Sequence, residues 1–182
     1  MSAYAYSHGL ETAVAEGRVR DVATCGAWIA TVLARGAGRL DAWAIRAVLG
    51  GADADAVSDR LRARAGSAEC WEETRDMGAA FARAAGVAPG PLPVALARAA
   101  RGMAPEPVVA LYLQAFAGQL ASAALRLVPL GAVAAQEMLA RLHPRLAVLA
   151  AETHDGPPGA AALMAEIDAM AHETLQPRLF RT

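Results

Sequence analysis

The sequence contains no lysine and no asparagine, so every fixed positive charge is an arginine. A coding bias toward GC-rich codons is a simpler account of that absence than selection for guanidinium chemistry. The 17 cationic residues stand against 18 anionic ones, for a net charge of -1. Such a balance lacks the basic excess of a large nucleic-acid surface and argues against a nucleic-acid partner. Aromatic residues make up only 5% of the chain although 55% of it is hydrophobic. Its core must then be assembled from Ala, Leu and Val, which favours closely packed helices over sheets. Cysteine is scarce as well. Cys25 and Cys70 lie far apart and neither belongs to a CxxC pair, so two reduced thiols of a cytoplasmic protein are expected, with no zinc set.

Other signatures are missing too. The start, Met1-Ser-Ala-Tyr-Ala-Tyr-Ser-His8, has neither the basic opening nor the apolar stretch of a signal peptide. No GxSxG, P-loop or DxD pattern occurs. Gly36-Ala-Gly38 forms a GxG without the strand–helix context of a nucleotide fingerprint. His172-Glu173 could open the HExxH pair of a zinc protease, but the position one turn on is Gln176. The remaining histidines, His8, His143 and His154, show no spacing that dictates a metal site, and none is assigned.

What is present is helical periodicity around one long apolar stretch. Residues 108–125 are apolar nearly all round, the pattern of a buried helix, and place Leu120 and Leu125 in the core. Gly118, Ala121, Ser122 and Ala124 are small enough to let other helices approach the backbone. Pro129 cannot continue that helix but suits the first turn of the next, so a proline corner is predicted before a second helix over 132–142. The long stretch could span a membrane on length alone. Gln114, Gln119 and Ser122 interrupt it, and a soluble core helix with no membrane partner is the expectation. Gln119, Ser122 and Arg126 fall on one helix face and read as a buried polar seam.

The rest of the chain completes an all-α, single-domain bundle over 1–182. Ser7 is the expected N-cap of a first helix reaching Glu16, Asp21 caps a helix carrying Trp28, Ile29, Val32 and Leu33, and Ser67 caps another through Ala85. A short helix over 40–49, another over 54–65, two proline-rich joints, and a last helix over 160–172 with Leu163, Met164, Ile167 and Met170 along one side fill in the remainder. The end, 173–182, turns polar and arginine-bearing yet keeps Leu179 and Phe180 between charges. A tail so composed is made to dock, on a partner or on its own domain. With a partner as the target, residues 177–182 could be removed without loss of folding. A small enzyme using His172, Glu173 and an arginine on a small molecule is the alternative, and it requires those groups to converge on a pocket.

Three stretches resemble the urease accessory protein UreF family. Tyr4-Ala-Tyr-Ser-His-Gly-Leu-Glu11 is similar to its Phe-Ser-Tyr-Ser-x-Gly-Leu-Glu start, Arg126-Leu-Val-Pro-Leu-Gly131 with Gln136 to its middle, and Met170-Ala-His-Glu-Thr174 with Arg178-Leu-Phe-Arg181 to its end. They occur in the family's order and spacing and span nearly the whole chain. There are departures. The apolar, proline-containing segment that usually precedes the first motif has no counterpart, as in a short member or a truncated start. Ala132 stands where the family usually has Gln, and Leu175-Gln-Pro177 replaces its Gln-Tyr-Ser, so a tyrosine hydroxyl is missing.

The resemblance implies a commonly dimeric, cytoplasmic, all-helical protein with no catalysis and no stably bound cofactor, nickel being handled by the complex. It implies as partners an accessory protein of the UreD (UreH) type, a GTPase of the UreG type and the apo-urease subunits. On the motif positions, Tyr6, Ser7, Gly9, Glu11, His172, Glu173, Arg178, Leu179, Phe180 and Arg181 are the expected partner-binding residues, and Arg126, Pro129, Gly131 and Gln136 a structural motif.

Overall fold

A side chain that accepts from a free first-turn amide fixes a helix start, and the computed structural model, which describes residues 6–159 and 161–181, has such caps on three of its helices. Asp21 forms a full capping box with Thr24, Asp53 accepts from the amides of Asp55 and Ala56, and Ser67 accepts from Cys70 at 3.1 Å. The helices are α1 (Leu10–Ala15), α2 (Val22–Arg35), α3 (Ala37–Leu49), α4 (Ala54–Ala63), α5 (Ala68–Ala85), α6 (Leu92–Ala99), α7 (Pro105–Leu127), α8 (Ala132–Ala151) and α9 (Leu163–His172). No strand occurs among the described residues, so the class is all-α. Tyr4 and Ala5, which open the first motif, lie outside the described residues, as do Ala160 and Thr182.

The first helix begins later than its sequence suggests. Gly9, at φ +80°, is its N-cap, and Ser7 accepts instead from the amide of Glu11 at 3.4 Å. Only glycine tolerates that turn, because a Cβ on Gly9 would lie 2.6 Å from the amide nitrogen of Ala169.

Helix α7 packs on α8, α3, α2 and α1 and buries Val108, Val109, Leu113, Phe116, Leu120 and Ala124. It is not covered all round, as its apolar pattern predicts. Leu111 is 71% exposed and Leu125 37% exposed, because no helix lies over that strip. Val128 to Gly131 connect α7 to α8, the helix it touches most. Helix α8 outruns the predicted 132–142 and passes through Pro144. Proline removes one ladder bond there, but Pro144 is on the exposed side, where water can serve the freed carbonyl.

Helix α9 sits the other way round from an ordinary amphipathic helix. Its buried residues are Asp168, Ala169 and His172, while Leu163, Met164, Ile167 and Met170 are exposed. Beyond it the tail turns back and Phe180, only 3% exposed, joins the main apolar cluster with Leu10, Leu120 and Leu142.

Candidate functional site

The inverted seating of α9 follows from what lies beneath it. Arg18, just past α1, holds the buried Asp168 carboxylate in a two-pronged contact at 2.7 and 2.5 Å. That pairing, with Glu16 also at 2.6 Å from the guanidinium, raises the Arg18 pKa. One turn on, His172 is fully buried between two carboxylates. Its Nε2 lies 3.0 Å from Glu11 of α1 and its Nδ1 2.8 Å from Glu69 of α5. Each ring nitrogen thus faces a carboxylate oxygen, one from α1 and one from α5.

Glu11 is the centre of the arrangement. Besides His172 it accepts from two consecutive tail amides, Leu179 at 2.6 Å and Phe180 at 3.0 Å. The Arg178 guanidinium bonds Glu69. Around this carboxylate the tail is clasped by two arginine–ring contacts. Arg126 at the end of α7 lies over the Phe180 ring, 4.8 Å from its centre, and Arg181 lies 5.9 Å from the Tyr6 ring. Burial raises the Tyr6 pKa, with Arg181 opposing it.

The structure therefore gathers residues from all three motifs: Tyr6, Ser7, Gly9 and Glu11, then Arg126, then His172, Arg178, Phe180 and Arg181. Glu173 stands at the margin, its carboxylate accepting from the Ala68 amide at the start of α5. Pro129, Gly131 and Gln136 are exposed on the α7–α8 connection and α8. Leu179 points outward, 66% exposed.

Two expectations need correcting here. Phe180 lies inside this chain, its backbone held by Glu11 and its ring under Arg126, so at that residue the tail docks on its own domain and not outward. His172, Glu173 and an arginine do not converge on a pocket, since His172 is enclosed while Glu173 caps α5, so the small-enzyme reading loses its geometry. Among the described residues no group of three or more His, Cys, Asp or Glu is arranged to hold a metal.

Sequence reasoning missed Arg18, Glu69 and Asp168. The signal for Asp168 was its spacing of four from His172, which puts two polar side chains on the helix face opposite Leu163 and Ile167. Nothing local pointed to Arg18 or Glu69, whose partners are 150 and 103 residues away.

A second polar group lies deeper, at the head of an apolar groove between α5, α6 and α7. His8 is 3.2 Å from Glu73, which also accepts from Gln119 at 2.9 Å, and Tyr112 donates to Asp41 at 2.6 Å. The polar seam read on α7 is thus real at Gln119, whereas Arg126 turns to the tail. Burial opposes the charge on His8, but Glu73 and the Cys70 thiol overcome it and its pKa rises well above the usual value. Burial pushes Asp41 up to about 7, against the Tyr112 hydroxyl and His8. The groove encloses about 740 Å³ and is walled by Met77, Leu92, Leu96, Met103 and Leu111.

Comparison with known proteins gives a consistent result. The sequence model of the UreF family matches residues 19–143. The chain is 49% identical over 191 residues to a urease accessory protein UreF of Cereibacter sphaeroides, covering 99% of this chain and 91% of that one. It is 48% identical over 194 residues to the urease accessory protein UreF of a Jannaschia species, covering 100% and 88%. With the protein of that name from Methylobacterium radiotolerans the identity is 42% over 208 residues, covering 100% and 91%. These alignments take in both chain ends, where the buried acids and the tail meet.

Proposed function

The chain belongs to the UreF family of urease accessory proteins, and on that premise we propose that it is a non-catalytic scaffold in the assembly that inserts nickel into apo-urease. In this reading it works in the cytoplasm, joining a UreD/UreH-like accessory protein and a UreG-like GTPase on the urease subunits. It holds the GTPase and its metal against the urease-bound partner, so that nucleotide hydrolysis is coupled to nickel transfer. The nickel is cargo of the complex.

The observation that carries the reading is the seating of α9. An isolated soluble chain has no use for a helix that buries an aspartate and a histidine while exposing Leu163, Met164, Ile167 and Met170. A contiguous apolar strip whose orientation is set by buried polar contacts is the mark of a docking face. Leu179 adds an exposed apolar side chain from the tail, while Phe180 and the arginines hold the tail in place. We assign this face to the UreD/UreH-like partner. The apolar groove beside α7, with Leu111 and Met103 exposed on it, we assign to a second copy of the chain in a homodimer.

Co-expression with urease subunits and the two accessory partners tests the scheme. The wild type should co-purify with them, whereas Ile167→Glu/Met170→Glu should melt like the wild type yet fail to capture the UreD/UreH-like protein. Capture undiminished in that variant would refute the assignment of α9. Sedimentation of the wild type as a monomer at micromolar concentration would remove the homodimer.

A further inference from the structure

We propose that α1, α9 and the tail form one cooperative unit that comes away from the remaining bundle and loses its structure together, with the Glu11 carboxylate joining its three parts. The inference stands on the contacts within the chain and does not depend on any partner. Helix α9 touches α1 far more than any other helix; its next neighbour, α5, meets it at the His172–Glu69 contact. In return α1 has α9 as its main neighbour, with α7 second. At six residues α1 is too short to hold helical structure by itself, so losing α9 removes most of what fixes it.

The bonds across the unit are mutually dependent. Glu11 serves the His172 ring and the amides of Leu179 and Phe180 at once, while Asp168 is neutralised only through Arg18. Removing one member leaves a buried charge or a buried amide without its partner, which is more costly than breaking the whole set into water. Gly9 against Ala169 closes the interlock at backbone level, with no room for a side chain between them. Conversely, the core shared by α2, α3, α7 and α8 gives up few apolar groups when the unit comes away: Leu10, Ala13 and the Phe180 ring, with the part-buried Val14 and Ala165. The far end stays tied, because the Ala161 amide donates to the Arg35 carbonyl at the end of α2. Such an arrangement favours sub-global opening over either local fraying or whole-chain unfolding.

Native-state hydrogen exchange followed by mass spectrometry on the intact, unliganded chain tests this directly. In the wild type, peptides covering 10–15 and 163–180 should share one protection level and one urea dependence, both below those of α2 and α7. Glu11→Gln keeps the shape and one acceptor but loses the charge. It should speed exchange in both segments together, by roughly tenfold to a hundredfold, with α2 and α7 unchanged. Faster exchange confined to the Leu179 and Phe180 amides would overturn the proposal, as would α9 loosening while α1 stays protected. Equal acceleration in every helix would overturn it too. Should the variant fail to fold, the wild-type urea series decides alone.

Discussion

Replacing Phe180 and Leu179 separately by alanine should split the tail into a part that holds and a part that presents. Phe180 has its ring among core residues and under the Arg126 guanidinium, whereas the adjacent Leu179 faces solvent. Truncating a core phenylalanine costs about 3–5 kcal/mol, and the lost guanidinium–ring contact contributes about 0.5–2 kcal/mol of that where the pair is partly desolvated. The tail is a chain end, however, and can detach rather than leave a cavity. Detachment caps the penalty at the free energy of docking the tail, so about 2–4 kcal/mol is expected for Phe180→Ala. Leu179→Ala removes mostly hydrated surface and should stay within about 0.5 kcal/mol of the wild type.

Urea denaturation of the purified chain measures both effects, and capture of the UreD/UreH-like partner measures the second function. Phe180→Ala should lower the midpoint and, by freeing the tail, weaken capture as well. Leu179→Ala should weaken capture at undiminished stability. A Phe180→Ala midpoint equal to the wild type would mean that the ring is not a packed member of the core. Loss of stability in Leu179→Ala would refute the division of labour between the two positions.

Along α7 two leucines that the apolar pattern alone treats alike should separate. Leu120→Ala should cost about 2–5 kcal/mol and Leu125→Ala under about 1 kcal/mol by the same denaturation assay, because only Leu120 is fully enclosed. Asp41 should make the chain less stable as pH rises. Its pKa is about 7 when folded against the ordinary 3.8 of an exposed carboxyl, so the folded state retains a proton that the unfolded state releases. The stability of the wild type relative to Asp41→Asn is then greatest below pH 4, falls between pH 4 and 7, and is flat above; melting curves over that window that run parallel would refute it.

Features decided within a few residues were legible in the sequence. Asp21 and Ser67 were readable as caps because each meets an amide three positions away. The motif at Gly9 was readable as spacing, although its reason, the approach of Ala169, lies across the chain. Periodicity told that residues 108–125 form a helix but not how much of it is covered. An apolar side chain such as Leu111 looks the same in a pattern whether a helix lies over it or a groove is left open. Periodicity likewise did not carry the second helix past residue 142, whereas α8 runs to Ala151 with Pro144 on its outer side, where water can serve the freed carbonyl.

The rotation of α9 could not be read at all by the rule that apolar faces turn inward, and its departure from that rule is informative. Turning the helix over would bury Leu163, Ile167 and Met170, each gaining about 1.5–3 kcal/mol on full burial. What it buries instead are ion pairs, whose attraction roughly cancels the cost of removing charges from water. For this chain alone the observed seating forgoes that apolar burial. It becomes the better choice once a second surface covers Leu163, Met164, Ile167 and Met170, because the apolar gain is then realised on binding while the charges fix the orientation of the face. Glu11 of the first motif, paired with the histidine of the last, and Arg18, paired with Asp168, thus act on the same helix side. They hold an apolar surface outward that hydrophobic burial within the chain would otherwise take in.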